Sequence, residues 1–494
     1  MSARTAGPRD AAAVILLDRP SDPLVYWVRR HARMAFQGNF HAFPGGQREP
    51  SDADIRVVNG ASAELDAACV AAVRELFEET GVLVARGAEG LDSSQRSELR
   101  CRLNDGTSTF SDVLDENGLT VDGALLAAAG RWVTPPFSPR RFDTYFFTAW
   151  LPEGQQVEQL NAELDHGEWL RPAEAIGMWE ESRVLVAPPI LHAMRTLAGG
   201  FEDLEARFSS IPEARGGLVR RIEFRPGILL FPVRTPTKPP ATHTNCYVVG
   251  DREVVIIDPA SPYDDERDAL DAFVDELIGV EGRRVKEIIA SHLHPDHIGG
   301  IAHLAGRIGV PVAAHRLTAE ALEGKLKVDR WIQDGERMTL AGNPEIDLRA
   351  VHTPGHARGH LCFFEERHRA LLTADLIVGL GSVVIDPPEG NMLDYLASLA
   401  KVRALEPSVI FGAHGPAVGD PIAKIDEYVS HRLEREQQIV AAIAAGDRTP
   451  EAIVARVYTD VPEKLHALAA RSVIAHLEKL RDEGRLPDGM DVPA

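Results

Sequence analysis

The chain has 494 residues, of which 44% are hydrophobic and 26% charged, so it can form the cores of two or three domains. Its formal net charge of −21 disfavours nonspecific binding to DNA or to anionic lipid. It has no apolar stretch of membrane-spanning length and no signal-peptide core at its start, and its four cysteines lack paired spacing. We therefore expect a cytoplasmic protein whose partners include neither DNA nor a membrane.

The first predicted elements are strands over residues 13–17, 25–28 and 145–150, which flank a helix over about 65–80. This alternation predicts an α/β/α sandwich. On the predicted helix, Glu75, Glu78 and Glu79 share one face, because they are spaced i, i+3 and i+4. Carboxylates this close repel one another unless a hard cation such as Mg²⁺ or Mn²⁺ lies between them. The alternative is an ordinary solvated charged face.

Residues 74–82, Arg-Glu-Leu-Phe-Glu-Glu-Thr-Gly-Val, with Phe-Pro-Gly-Gly at 43–46, resemble the Nudix hydrolases. The resemblance implies catalysis and metal binding by the three glutamates, a phosphate-side turn at Gly45 and Gly46, and a structural role for Arg74, which can orient Glu78. Arg140 and Arg141 suit a bound diphosphate, although a surface pair is an equally good interpretation.

Two departures from the Nudix pattern leave open whether this unit hydrolyses a diphosphate or only binds one. Residues 47–62 are inserted between the glycine turn and the helix, and Asp66 stands where the family usually has Glu. A helix over about 187–208 is predicted to close this domain, which we place at 8–208, and residues 209–217 are predicted to be a linker.

A second motif follows an apolar run at 285–290 that predicts a buried strand. His292, His294, Asp296 and His297 lie within six residues, and their spacing suits two cations a few ångströms apart. Imidazole and carboxylate donors favour zinc, although iron or manganese tolerates the same set. The alternative is a polar surface loop.

Further candidate ligands, His356, Asp375 and His414, each follow a predicted strand, and Asp258 closes an earlier one at 254–257. Together these motifs resemble the metallo-β-lactamase fold superfamily, which implies an αββα sandwich over 218–423. By position, His292, His294 and His356 would hold one zinc ion, and Asp296, His297 and His414 a second. Asp375 would bridge the two ions and Asp258 would brace the loop.

The resemblance also implies a hydroxide held between the two ions, with Asp296 in the catalytic machinery. Such a centre can hydrolyse a thioester, ester, amide or phosphodiester, and the ligands alone do not choose among them. His360, four residues beyond His356, is a candidate substrate-binding or ligand-supporting residue; an ordinary hydrogen-bonded loop histidine is the alternative.

Three helical patterns over 425–445, 450–458 and 463–483 suggest a winged-helix unit at 424–494. With Asn391, Met392 and Tyr395, they resemble the lactamase-like protein 2 branch, in which single-stranded RNA is cleaved. The acidic charge balance argues against a strong RNA surface, so a packing cap or a homodimer element is the favoured interpretation.

These observations predict a metal-dependent hydrolase with two sites, acting on a small-molecule substrate that carries coenzyme A or a nucleotide. The central site would cut a thioester or ester, and the Nudix unit would cut or bind a diphosphate. Two alternatives stay open at this point: a single-strand endoribonuclease, and a noncatalytic protein that binds nucleotides or RNA.

Overall fold

A computed structural model describes residues 7–34, 37–158, 163–459, 461–486, 490 and 492. The chain forms two compact units, Met1–Pro226 and Gly227–Ala494. The domain limits 8–208, 218–423 and 424–494 remain a prediction.

The first unit is built on a mixed β-sheet. The strands of this sheet are β1 Arg9–Leu17, β2 Val25–Arg30, β3 Phe40–Ala42, β4 Gly45–Gln47, β5 Ala127–Val133, β6 Phe142–Trp150, β7 Leu164–Leu170, β8 Leu185–Val186 and β9 Arg215–Leu218. The unit also contains strand β10 Ile222–Arg225, which lies outside this sheet. Its helices are α1 Ala63–Thr80, α2 Ser93–Asn104, α3 Phe110–Asn117, α4 Pro172–Glu180, α5 Pro188–Ala198 and α6 Leu204–Phe208. The sheet order is β8-β3-β2-β1-β6-β5-β9, with β4 also pairing with β1 and β7 with β2.

Helix α1 carries the glutamate face and lies against this sheet. The Ser62 side chain accepts from the Leu65 N–H at its start, and Gly81, at φ +76°, ends it by donating to the Phe77 carbonyl. The apolar face of α1 packs with β1 in one buried cluster that includes Val14, Leu76 and Phe77. Burial of this face fixes the helix, so the glutamates are held beside β4.

The end of the first unit differs from the sequence prediction. The helix expected over 187–208 is broken into α5 and α6, because Gly199 and Gly200 follow α5 and Gly200 adopts φ +112°. The expected linker at 209–217 contains the first residues of β9, which pairs in parallel with β5. The alternation of polar and apolar residues does not predict such a short strand, because its pairing with β5 depends on the folded sheet.

The second unit contains two sheets. Its elements are β11 Ile228–Arg234, β12 His243–Gly250, β13 Glu253–Ile257, α7 Asp264–Gly279, β14 Arg284–Ala290, α8 Pro295–Ile298, α9 Ile301–Ile308, β15 Val312–His315, α10 Arg316–Ala321, β16 Arg330–Ile332, β17 Arg337–Leu340, β18 Ile346–His352, β19 Leu361–Glu365, β20 Ala370–Ala374, α11 Met392–Arg403, β21 Val409–Gly412, α12 Pro421–Ala444, α13 Pro450–Val457 and α14 His466–Asp482. Strands β11 to β16 follow one another in one sheet, and β17 to β21 in the other.

A helical layer covers each sheet of the second unit. Helices α7 and α9 share a buried cluster with the first sheet, and α11 and the start of α12 share another with the second sheet. This arrangement is the predicted αββα sandwich. The later part of α12 forms a separate small core with α13 and α14, which agrees with the expected C-terminal helical unit. Among the helices that the structure describes, none combines the length and the apolar composition of a membrane-spanning segment.

Candidate functional site

The predicted ligands of the second unit meet at one edge of its two sheets. His292 and His294 follow β14, and Asp296 and His297 lie in the short helix α8. His356, Asp375 and His414 come shortly after β18, β20 and β21. The side chains form two groups, in each of which the donor atoms lie within 4.8 Å of one another: His292, His294, His356 and Asp375, and Asp296, His297 and His414. These are the two predicted ligand sets, with Asp375 in the first.

Three imidazole nitrogens converge in the first group. The His294 Nδ1 atom lies 2.9 Å from His292 Nε2 and also 2.9 Å from His356 Nε2. The Asp375 Oδ2 atom lies 3.4 Å from His356 Nε2. Three nitrogen donors and one carboxylate oxygen around a common point form a donor set that suits zinc.

Two buried donor atoms, one from each group, make no hydrogen bond of good geometry among the described residues. His297 Nε2 and Asp375 Oδ1 are buried, lie 3.5 Å apart, and have no partner with hydrogen-bond geometry among the described residues. His414 Nε2 lies 3.2 Å from Asp375 Oδ1 and 3.7 Å from Asp296 Oδ2. Because unpaired buried polar atoms are costly, these positions fit a bound cation that Asp375 shares with the first group.

Where the Nε2 atom of a histidine faces the cluster, its Nδ1 atom has a contact that orients the ring. The Nδ1 atoms of His356 and His414 each lie 2.8 Å from a backbone carbonyl, that of Val384 and that of His243 respectively. His292 Nδ1 lies 3.0 Å from the Ser291 hydroxyl. With a proton on Nδ1, the Nε2 lone pair points inward, where a metal would be held.

Asp258 has the bracing position that its motif predicts. Its carboxylate accepts hydrogen bonds from the Ser291 N–H, at 2.8 Å, and from the Ser291 hydroxyl. The same group lies 2.8 Å from His297 Nδ1. Asp258 thus holds both ends of the segment that carries the first four candidate ligands.

Burial sets the protonation of the first histidine group. Desolvation lowers the pKa of His294 to about 3, and it also lowers the pKa values of His292 and His356. Burial acts to raise the pKa of Asp375, but the neighbouring His414 and His297 hold it well below its usual value. Neutral imidazoles and an ionised carboxylate are the forms that bind metal.

His360 is completely buried, which argues against a substrate contact for it. Its Nδ1 lies 2.9 Å from the Thr353 hydroxyl, and its Nε2 accepts from the Asp375 N–H at 3.2 Å. It therefore supports the backbone of a candidate ligand.

Sequence reasoning missed Val384, Ser291 and Thr244. The Thr244 hydroxyl donates to the Asp296 carbonyl at 2.8 Å. A backbone carbonyl such as that of Val384 carries no residue-type signal, and single serines and threonines are too common to stand out. Only the fold identifies them.

In the first unit, the three glutamates lie around Arg74 and the glycine turn. Arg74 Nη1 donates to Glu75 at 3.0 Å and to Glu78 at 3.3 Å, as predicted for the pair at i+4. Glu79 accepts from the Gly45 N–H at 2.9 Å. A Cβ at Gly46 would lie 2.5 Å from the Glu75 carboxylate, so only glycine lets the carboxylate approach this closely.

The three carboxylates are poorly compensated. Burial raises the pKa of Glu75 to about 7, and it also raises the pKa values of Glu78 and Glu79. A divalent cation would reverse this cost, which is why the cluster fits Mg²⁺ or Mn²⁺.

The remaining predicted residues of this unit lie in local contacts. Arg141 Nε donates to the Thr134 carbonyl, and the Arg140 carbonyl accepts from the Ser138 hydroxyl. Asp66 accepts from the Ala61 N–H at 2.9 Å and so fastens the end of the insertion to α1. The diphosphate contact expected for Arg140 and Arg141 remains a prediction.

An αββα sandwich with a histidine and aspartate cluster at its strand ends defines a metallohydrolase fold. The chain belongs to the metallo-β-lactamase superfamily: the family model described as "Metallo-beta-lactamase superfamily" matches residues 239–414. The model of the NUDT19 Nudix domain matches residues 58–197, and that of the beta-lactamase associated winged helix domain matches 449–491. All three resemblances inferred from the motifs are confirmed.

Curated relatives cover about half of the chain. The "Lactamase-like protein vrtG" of Penicillium aethiopicum is 31% identical over 47% of this chain and 70% of its own length. The "Atrochrysone carboxyl ACP thioesterase" of Aspergillus chevalieri is 30% identical over 44% and 69%. The "Beta-lactamase-like protein 2 homolog" of Caenorhabditis elegans is 27% identical over 49% and 79%.

Proposed function

We propose that the second unit hydrolyses a thioester or a related ester with the help of two zinc ions. His292, His294, His356 and Asp375 would hold one ion, and Asp296, His297 and His414 the other, with Asp375 shared between them. The observation that carries the proposal is the buried pair His297 Nε2 and Asp375 Oδ1, one atom from each group, which make no hydrogen bond of good geometry among the described residues. Bound zinc supplies a water of lowered pKa and positive charge beside the developing oxyanion.

The protein's own residues preset this centre. Asp258 and Thr244 hold the segment of the first ligands, and His360 holds the backbone of Asp375. Since the ring orientations are fixed by the Ser291 hydroxyl and by backbone carbonyls, the donors need little rearrangement to bind a cation.

A thioester is the favoured substrate within the reactions that this centre can perform. One relative at 30% identity is named an acyl-carrier-protein thioesterase. A coenzyme A thioester joins an acyl-thioester to a diphosphate, so a single compound would offer a group to each of the two units. We propose this class of substrate.

For the first unit we propose a diphosphate site with one or more Mg²⁺ or Mn²⁺ ions held by Glu75, Glu78 and Glu79. The raised pKa values of these carboxylates and the contacts of Glu75 and Glu79 with the glycine turn support it.

All four cysteines are free thiols, which supports a reducing compartment such as the cytoplasm.

The test measures hydrolysis of acyl-coenzyme A thioesters, free coenzyme A and single-stranded RNA by the zinc- and magnesium-loaded full chain. We expect thioester cleavage to be lost in His292→Ala and retained in Glu78→Gln. Diphosphate cleavage should be lost in Glu78→Gln and retained in His292→Ala. His303→Ala is the matched control, because His303 is partly exposed and contacts Asp271, away from the cluster.

Each other result has a definite meaning. RNA cleavage lost in His292→Ala, without thioester cleavage, would replace the proposal with an endoribonuclease, the alternative implied by the resemblance to the lactamase-like protein 2 branch. Tight binding of coenzyme A without turnover of any substrate would make the protein a binding protein. Thioester cleavage that survives His292→Ala would refute the site assignment.

A further inference from the structure

The loop that follows Asp375 connects the candidate metal centre to the C-terminal helices. Residues 375–390 contain no helix or strand. The loop starts at a shared ligand, and its Val384 carbonyl lies 2.8 Å from His356 Nδ1. The position of this loop therefore sets the orientation of the His356 ring.

Side chains of α12 hold the middle of the loop. Arg432, only 4% exposed, donates to the carbonyl of Val383, the residue next to Val384. The hydroxyl of Tyr428 donates to the Val378 carbonyl at 3.2 Å and accepts from the Val378 N–H at 3.3 Å. A loop without secondary structure must satisfy its buried backbone groups elsewhere, and here α12 satisfies them.

Helix α14 holds the far end of the loop. Arg471 donates through Nε to the Asp386 carboxylate and through Nη2 to the Pro387 carbonyl. Ala475, one turn further along α14, is fully buried in the same cluster as Val383 and Ile385. The loop is thus fastened by a charged contact and by packing.

Helix α11 also contacts the start of the loop and the residue before His356. The Arg432 guanidinium lies 5.3 Å from the centre of the Tyr395 ring, and the Tyr395 hydroxyl donates to the carbonyl of Leu376 at 2.8 Å. The backbone of Tyr395 also fills the space beside Gly355, where a Cβ would lie 2.3 Å from its N and Cα atoms. Leu376, which follows Asp375, and Gly355, which precedes His356, therefore both pack against Tyr395.

We infer that the C-terminal helices position a metal ligand: Arg432 of α12 and Arg471 of α14 hold the 375–390 loop so that Val384 orients His356. The inference rests on the proposed metal centre and gives the C-terminal unit a role in it that needs no nucleic acid. Arg432 and Arg471 are positioning residues, since they contact the loop and not a ligand.

The test uses Arg471→Ala and Asp386→Ala in the full chain, because both side chains are partly exposed and their loss leaves the core intact. Zinc affinity is measured by competition with a chelator, and protection of the 375–390 amides is measured by hydrogen exchange. We expect each variant to bind at least one of the two zinc ions about 10-fold less tightly, because a contact that orients a ligand is lost. We also expect faster exchange in the loop. The double variant should behave like Arg471→Ala, because that substitution already removes both the Asp386 contact and the Pro387 contact, whereas Asp386→Ala removes only the first.

Arg481→Ala is the matched control, because Arg481 lies in the same helix and contacts Asp482. If the wild type binds two zinc ions and both variants match it in affinity, the inference is refuted while the proposed function stands. If the wild type binds no zinc, the proposed function fails. Unchanged loop exchange in the variants refutes the inference in either case.

Discussion

The guanidinium of Arg74 donates to both carboxylate oxygens of Asp52, Nε to Oδ1 and Nη2 to Oδ2, each at 3.0 Å. Asp52 is 1% exposed and Arg74 3%. Asp52 belongs to the segment 47–62 that separates the glycine turn from α1, and the same guanidinium reaches Glu75 and Glu78. The insertion therefore supports the glutamate cluster, since it supplies the counterion that fixes Arg74.

We predict that Asp52→Asn destabilises the first unit by about 2 kcal/mol, because it removes the buried carboxylate that pairs with Nε and Nη2 of Arg74 and leaves only the charged contacts of Nη1 with Glu75 and Glu78. It should also weaken Mg²⁺-dependent diphosphate binding, since Arg74 then turns toward the glutamates. Denaturant unfolding and magnesium titration measure the two effects. Asp52 and Asp54 both lie in the short 3-10 helix Pro50–Asp54, and Asp54→Asn, at an exposed position, is the control. Equal stability of the two variants would contradict the prediction.

Gly46→Ala is predicted to change metal binding more than stability. The added Cβ would lie 2.5 Å from the Glu75 carboxylate, which is the mobile end of a side chain and can move away at small cost. The Mg²⁺ concentration needed for half-maximal diphosphate binding should rise several-fold, with thioester cleavage unaffected. Gly90→Ala adds a Cβ that meets nothing within 4 Å and serves as the comparison. An unaltered magnesium requirement would show that Glu75 does not bind the ion.

Asp258→Ala is predicted to lower zinc affinity by about 10- to 100-fold, because it removes the acceptor of both Ser291 contacts and of His297 Nδ1. Chelator competition gives the affinity, and Asp268→Ala, on the exposed face of α7, controls for loss of an acidic side chain. Asp258→Asn should recover part of the loss, since one acceptor oxygen remains. Wild-type affinity in Asp258→Ala would remove the bracing role.

Glu436 is predicted to make stability depend on pH in the acid range. His476, whose Nδ1 lies 3.9 Å away, and the cations of Lys479 and Arg485 lower the pKa of Glu436 from 4.5 to about 2. Because the pKa is lower in the folded state, the contribution to stability is complete above about pH 4.5 and is lost as the pH falls toward 2.

Glu436→Gln should therefore reduce stability by about 2 kcal/mol at pH 7, as for loss of hydrogen bonds to a charged group, and the difference from wild type should shrink as the pH falls to about 2. Thermal unfolding over this pH range measures it, with the exposed Glu434→Gln as the control. A difference that stays constant with pH would mean that Glu436 acts through packing and not through its charge.

Some features of both sites follow from local sequence. The spacing of Glu75, Glu78 and Glu79 places them on one face of any α-helix, and Ser62 and Gly81 mark the ends of that helix. His292, His294, Asp296 and His297 are close in sequence and so must be close in space. These conclusions need only helix periodicity and the short reach of the chain.

The class of chemistry can be predicted from the residues alone, because donor types and their spacing are properties of residues and of local backbone geometry. Which atoms of those residues point inward depends on contacts that form only in the folded chain. His356 is oriented by the Val384 carbonyl, and Arg74 is fixed by Asp52 from an inserted segment. Such contacts join segments far apart in the chain, and a backbone carbonyl is the same at every position, so neither leaves a pattern in the sequence.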